Sequence, residues 1–289
     1  MKLVVSDMDG TLINHQSGIS PANLKAIQQL QENGIEFAIA SGRDFYGVRS
    51  ILDQYDIRCH AILGNGAQYC DEDGQVIMSC YLNKSVFADI IQIFENAHVP
   101  YMVFTTKGFY TRYQPSYVQE QFIERGIKRF GNRKEDYDKN GSFVNCPCNH
   151  LEQFSDIQEF LQRDLDIIKV EAFSLNASDI APTKELLAHI PTISYLSSFE
   201  DNVEVTNENA QKGLILQQVA QLKKIDKKDI AVLGDGMNDF TLFQLFPYSF
   251  APKNADDTIK SLAYRVVDEC ENDGFAKAID IILKEKNIL

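Results

Sequence analysis

The stretch Lys2-Leu3-Val4-Val5-Ser6-Asp7-Met8-Asp9-Gly10-Thr11-Leu12 decides the fold. Lys2 to Ser6 reads as a compact apolar strand, and the acidic, glycine-bearing segment Asp7 to Thr11 ends it. A helix is expected from Ser20-Pro21, with serine as N-cap and proline at the first helical position. Leu24, Ile27 and Leu30 keep helical spacing, and Asn33-Gly34 supplies the stop. Ile35 to Ala40 reads as a second buried strand, followed by Ser41-Gly42-Arg43 and a helix over about 46–54. Ala61-Ile62-Leu63 and the Asn65-Gly66 turn come next, and 67–70 with 75–81 read as a hairpin through Asp73-Gly74. Strand, helix, strand, helix at this spacing indicates parallel strands joined by right-handed crossovers. Such sheets are covered on both faces, which accounts for Phe37-Ala38-Ile39-Ala40 with no polar alternation.

The same texture returns after about residue 200. Gln211 to Leu222 reads as a helix, Asp229 to Leu233 as a strand ending in Gly234-Asp235-Gly236-Met237-Asn238-Asp239, and helices are expected over 240–245 and 274–285. Between these regions the pattern is richer in aromatic residues and irregular connections. The expected organisation is an α/β core built from residues 1–82 and 198–289, with an α+β domain of residues 83–197 inserted between them.

Composition narrows the function. The chain has 289 residues, 28 Lys plus Arg against 41 Asp plus Glu, and a formal charge of −13. An acidic surface argues against broad attraction to nucleic acid or anionic lipid. No apolar run approaches the roughly 20 residues that span a bilayer. The apolar run at the N-terminus is also too short for a signal peptide. Six scattered cysteines read as free thiols in a reducing cytoplasm. The oligomeric state is open, a monomer being compatible with everything above.

Four segments carry chemistry, each after an expected strand or opening an expected helix, where ligands of open parallel sheets bind. Asp7-x-Asp9-Gly10-Thr11 places two carboxylates in a tight loop, one suited to attack or metal binding and the other to proton transfer. The plain alternative is an acidic turn satisfied by its own amides. Ser41-Gly42 offers a hydroxyl and amides at a strand-to-helix junction, an oxyanion cradle or a simple N-cap. Lys212 sits in a first helical turn, where a cation opposes the macrodipole unless an anion faces it. Asp235, Asn238 and Asp239 crowd a glycine-permitted loop. Together with Asp7 and Asp9 they would repel strongly without a cation, and hard oxygen ligands of this kind favour Mg²⁺.

In this order, D-M-D-G-T-L, S-G-R, K-G and G-D-G-M-N-D, the segments resemble the haloacid dehalogenase superfamily of phosphohydrolases, and within it the Cof-type group. Gly64 to Ala67, Lys253-Asn254-Ala255 and Asp273-Gly274-Phe275-Ala276 also fit, while Ala251-Pro252 stands where a Met-Gly pair is more usual. The resemblance implies a Rossmann-like parallel sheet with the inserted α+β domain as a cap. It implies Asp7 as nucleophile forming an aspartyl-phosphate, and Asp9 as general acid and base. It implies Mg²⁺ held by Asp7, Asp235 and the Asp9 main-chain carbonyl. Ser41, the Gly42 and Met8 amides, Lys212 and Asn238 would grip the phosphoryl oxygens, with Asp239 behind them orienting Lys212 or a metal-bound water. Asp9 distinguishes the chain from membrane ion pumps of the superfamily, which carry Thr there and keep a longer-lived aspartyl-phosphate. The implied substrate is a small phosphorylated metabolite such as a sugar phosphate or phosphorylated cofactor, with Arg43 and Lys169 as candidate contacts. A phosphomutase or phosphotransferase, and a non-catalytic phosphometabolite-binding protein, are the competing readings.

Other features carry less. Cys146-Pro147-Cys148 with His150 could be a metal tract, but a one-residue gap strains tetrahedral zinc, so free thiols are the reading. None of the five histidines forms a triad arrangement; His15 follows Asp9 and is expected in solvent. Gly64-Asn65-Gly66 is an incomplete dinucleotide fingerprint; Asn65 either bonds a loop near Asp7 or merely makes a turn.

Overall fold

The computed structural model describes residues 1–14, 18–138, 141 and 143–285; His15 lies outside the described residues. The chain opens with β1 (Leu3–Ser6), α1 (Pro21–Glu32), β2 (Glu36–Ala40), α2 (Phe45–Leu52), β3 (His60–Leu63), β4 (Gln68–Cys70) and β5 (Val76–Ser79). It continues through α3 (Phe87–Asn96), β6 (Tyr101–Thr105), β7 (Gly108–Thr111), α4 (Pro115–Phe130), β8 (Leu151–Gln153), α5 (Ile157–Gln162), β9 (Ile167–Phe173), α6 (Ala177–Leu187), β10 (Ile193–Leu196) and β11 (Asn202–Asn207). The last elements are α7 (Lys212–Lys223), β12 (Ile230–Leu233), α8 (Phe240–Leu245), β13 (Ser249–Pro252), α9 (Asp257–Leu262), β14 (Arg265–Val267) and α10 (Gly274–Glu285). They form two compact units, one of Met1–Ser79 with Asn209–Leu289 and one of Cys80–Glu208.

The first unit holds an eight-stranded sheet in the order β14-β13-β12-β1-β2-β3-β4-β5. Its strands run parallel from β14 to β3, and the β4–β5 hairpin adds an antiparallel edge. β1 is buried along its whole length and pairs with β2 on one side and β12 on the other. The strand order reverses there, so a crevice opens beyond the carboxyl ends of β1 and β12. Helix α1 starts where the sequence places it: Ser20 accepts from the Asn23 amide and Pro21 is the first helical residue. On its buried face, Asn23 donates to the Leu12 carbonyl at 2.9 Å and accepts from the Ala276 amide at 3.1 Å. One buried amide side chain thus ties the loop after β1 to the start of α10, and it is satisfied on both sides, as a buried polar group must be.

The second unit is a six-stranded sheet in the order β10-β11-β9-β6-β7-β8, antiparallel except for β7 with β8. Val103, Val170, Ala172, Val203 and Val205 turn one face into an apolar core with Phe87, Ile90, Phe94 and Ile180 of α3 and α6. This corrects the expected boundary at residue 198. β11 pairs with β9 and β10 of the second sheet, and the return to the first unit comes at Asn209. The alternation of Val203 and Val205 with Glu204 and Thr206 belongs to an antiparallel strand buried on both faces, Glu204 against Lys169, and it lies too close to α7 in sequence to separate by texture alone.

Candidate active site

The loops after β1 and β12 are joined at their roots, the Asp7 amide donating to the Leu233 carbonyl at 2.8 Å. Asp7 points into the interior and is 5% exposed. Gly10 has φ +78, and a Cβ there would lie 2.4 Å from Asp235 Oδ2. Only glycine lets the first loop turn this tightly against the second. Thr11, which sequence reasoning did not single out, donates from Oγ1 to Asp235 Oδ1 at 3.1 Å. Its position in D-x-D-G-T was the available signal.

Lys212 begins α7 and is completely buried. Its Nζ donates to Asp7 Oδ1 at 2.6 Å and to Asp239 Oδ1 at 2.7 Å, so the anions that a cation in a first helical turn requires are both present. Gly213 makes this possible. A Cβ there would sit 2.2 Å from the Thr241 carbonyl oxygen, so α7 approaches α8 closely only with glycine at this point. Asp239 spends its other oxygen on the Asp235 and Gly236 amides, at 3.0 and 3.2 Å. That shapes the loop carrying Asp235.

Carboxylate oxygens of Asp7, Asp235 and Asp239 lie within 4.8 Å of one another. Three carboxylates therefore share one ammonium. Burial, then Asp239, pushes the Asp235 carboxyl up from its usual 3.8 to about 7, against Lys212 and Thr11. Burial also raises Asp7, with Asp239, Asp235 and Asp9 adding to it and Lys212 opposing. For Lys212, burial alone would lower the ammonium, but Asp239 and Asp7 outweigh it and hold it charged. The cluster is short of positive charge, and its oxygen-only donor set suits a hard divalent cation.

The raised Asp235 carboxyl makes the stability of the metal-free protein depend on pH. A carboxyl raised on folding lets the native state hold a proton that the unfolded chain gives up above about pH 3.8. Its contribution to stability is complete below that pH and is lost as pH rises towards 7. In metal-free protein, the unfolding free energy from urea titration, relative to Asp235→Asn, is expected to fall between pH 4 and 7, by at most about 1.4 kcal/mol per pH unit. Mg²⁺ at neutral pH is expected to reverse the fall. Parallel pH profiles for the two proteins would contradict the assignment.

Asp9 lies outside this cluster, with its side chain 45% exposed, and meets Arg43 in a two-pronged contact of 2.7 Å (Nε to Oδ2) and 2.6 Å (Nη2 to Oδ1). Burial disfavours the guanidinium, yet Asp9 raises it overall. Ser41, buried at the end of β2, accepts from the Arg43 amide through Oγ at 3.2 Å, leaving its O–H to donate. It is not the N-cap of α2. That role belongs to Asp44, whose carboxylate takes the Gly47 amide. Asn65 does more than turn the chain: it is buried at φ +58, and its Oδ1 accepts from Asn238 Nδ2 at 3.2 Å. Asn254 adds a further tie, donating to the Gly10 carbonyl at 2.9 Å. The Met8 side chain is fully buried in the core, so only its backbone can face a ligand.

Lys169 lies in the second unit on β9. Its ammonium is bound by Glu204 at 2.5 Å and Glu171 at 3.2 Å and sits 4.4 Å from the centroid of the Phe104 ring. Burial again disfavours the charge and the two glutamates restore it. Salt bridging accounts for this lysine without a ligand.

Residues 4–279 match the sequence pattern of the haloacid dehalogenase-like hydrolases. The chain belongs to this family. Among relatives of this hydrolase, phosphatase YwpJ of Bacillus subtilis (strain 168) is 28% identical over 98% of this chain and 100% of that protein. The 5-amino-6-(5-phospho-D-ribitylamino)uracil phosphatase YwtE of the same organism is 26% identical over 98% of each chain. The solved structure of a haloacid dehalogenase-like hydrolase from B. subtilis is 26% identical, with a TM-score of 0.81 over 97% of this chain and 99% of the other. Among the described residues, no helix of this hydrolase is long and apolar enough to cross a membrane.

Proposed function

We propose that this hydrolase is a Mg²⁺-dependent phosphomonoesterase acting through an aspartyl-phosphate on a small phosphorylated metabolite, with the second unit as the cap that selects the leaving group. The observation that carries it is a cluster of three carboxylates, two of them bonded to one buried ammonium, at the carboxyl ends of β1 and β12. Phosphoryl transfer needs chiefly positioning and charge neutralisation, and this cluster is built for both. The names of the relatives YwpJ and YwtE support phosphate esters as substrates.

In this mechanism Lys212 holds Asp7 Oδ1, leaving the other carboxylate oxygen to attack phosphorus in line. The P–O bond to the leaving group breaks as the Asp7 acyl-phosphate forms, and Asp9 gives its proton to the departing alkoxide. Asp9 then takes a proton from the water that attacks the acyl-phosphate, returning Asp7 as carboxylate and releasing phosphate. Arg43 keeps the Asp9 carboxylate in one orientation, and its partial exposure lets its proton exchange with solvent. The Ser41 hydroxyl, the Gly42 and Met8 amides, Lys212 and Asn238 steady the phosphoryl oxygens. Asp239 aims Lys212 rather than touching the substrate. Asp7, Asp235 and the Asp9 carbonyl would hold Mg²⁺, which supplies positive charge for the phosphoryl group. The six cysteines are all free, which supports a reducing cytoplasm as its compartment.

The test is phosphate release from a panel of p-nitrophenyl phosphate, sugar phosphates and phosphorylated cofactors. Mg²⁺-dependent release is expected, falling on the order of 10²-fold with EDTA and returning with added Mg²⁺. No release from any ester at saturating Mg²⁺ overturns the proposal, as does transfer to an added sugar acceptor without net phosphate.

A further inference from the structure

The Cys146-Pro147-Cys148 turn of the second unit plays no part in the chemistry above. Its two sulfurs lie 2.9 Å apart, with Cys148 buried and Cys146 half-buried. A zinc site does not explain the pair, because two thiolates on one tetrahedral ion stand about 3.8 Å apart. His150 turns Nε2 towards the Val144 carbonyl at 3.3 Å. The turn is held from behind. The Asn149 side-chain amide donates to the carbonyls of Tyr137, Phe143 and Val144 at 3.0 to 3.1 Å, and its Oδ1 accepts from Gln119 of α4 at 2.8 Å. Proline between the cysteines fixes one backbone angle and lowers the entropy lost on joining them.

We propose that Cys146 and Cys148 form a peroxide-responsive dithiol that closes reversibly to an intramolecular disulfide. A disulfide needs its sulfurs brought to about 2.05 Å, so closure asks for a movement of less than about 1 Å. The accessible Cys146 reacts first. Its thiolate attacks one oxygen of hydrogen peroxide, the O–O bond breaks, and the departing hydroxide leaves as water with the thiol's proton, giving the sulfenic acid. The Cys148 sulfur then attacks the Cys146 sulfur. The S–S bond forms, the S–O bond breaks, and a second water leaves with the Cys148 proton. One electron from each sulfur reduces the peroxide. The hydrogen bond to Cys146, then burial, raises the Cys148 thiol, so it stays protonated until it attacks and gives its proton to the departing hydroxide in the same step. Elsewhere burial pushes Cys59 up to about 12, Cys70 to about 11 and Cys270 to about 12, and it raises Cys80 as well. A disulfide spanning one residue is strained, so thiols reopen it readily.

Tryptic cleavage isolates Cys146 and Cys148 in one peptide, 140–163, and Cys59, Cys70 and Cys80 in another, 59–84. The full-length protein is titrated with hydrogen peroxide, alkylated, digested and weighed. At a dose that leaves 59–84 fully alkylated, 140–163 is expected unalkylated and lighter by two hydrogen atoms than its dithiol form, and dithiothreitol should restore both thiols. In Cys148→Ser, the same dose should instead carry Cys146 on to the sulfinic acid. Alkylation of both thiols at doses that already oxidise 59–84 overturns the proposal, and so does wild-type sulfinic acid at Cys146 beside an alkylated Cys148.

Discussion

Asp7→Asn is expected to lower turnover of p-nitrophenyl phosphate by at least roughly 10⁴-fold at saturating Mg²⁺, since on the proposed aspartyl-phosphate route it removes a covalent step that no neighbour replaces. The substitution is nearly isosteric, and it removes a charge that burial already disfavours at this position. The protein should therefore keep its urea midpoint close to wild type, so that inactivity cannot be ascribed to unfolding. The amide can still accept from Lys212 but cannot form an acyl-phosphate. Asp9 lies out of the carboxylate cluster, held by Arg43, and cannot substitute for it. Initial rates and incorporation of labelled phosphate into protein check the expectation together. Folded Asp7→Asn retaining more than a tenth of wild-type activity would remove the covalent route.

The second large effect is expected at Lys212. Replacing it with Met leaves Asp7 and Asp239 facing each other with no cation, both of them buried. Removing one partner of a buried ion pair costs about 3–5 kcal/mol, because the charge left behind has lost both water and its counter-ion. Lys212→Met should unfold at clearly lower urea and show no measurable turnover. Adding Asp239→Asn should recover part of the stability, since one uncompensated charge is gone, and none of the activity, since Asp7 is still unanchored. Such non-additivity between touching residues distinguishes an electrostatic deficit from a mere packing defect. A Lys212→Met protein as stable as wild type would show that the triad contributes little.

Much of this was readable in one dimension because the chemistry sits where strands end. Ser20-Pro21 announces α1, and the glycine-bearing acidic loops announce the carboxyl ends of β1 and β12, since cap and turn preferences act within a few residues. The same locality explains the misreadings. Ser41 resembles an N-cap, but Asp44 is three residues nearer the helix. β11 resembles the start of the returning core, but its partners are β9 and β10, and strand partners are not encoded in a strand's own composition. Lys169 resembles a ligand contact because Glu204, its shorter ion-pair partner, is 35 residues away and invisible from its own segment, which shows only Glu171 two residues along β9.

Local sequence, then, determined the alternation of strands and helices, the tight acidic turns and the residue types able to bear phosphoryl chemistry, because these depend on short-range sterics and hydrogen bonding. Only the tertiary structure decided that Lys212 bonds Asp7 across 205 residues of chain and that Arg43 grips Asp9. The reason is physical: long-range pairings are set by strand order in the sheet and by which side chains burial forces to find partners, and neither is a property of any one segment.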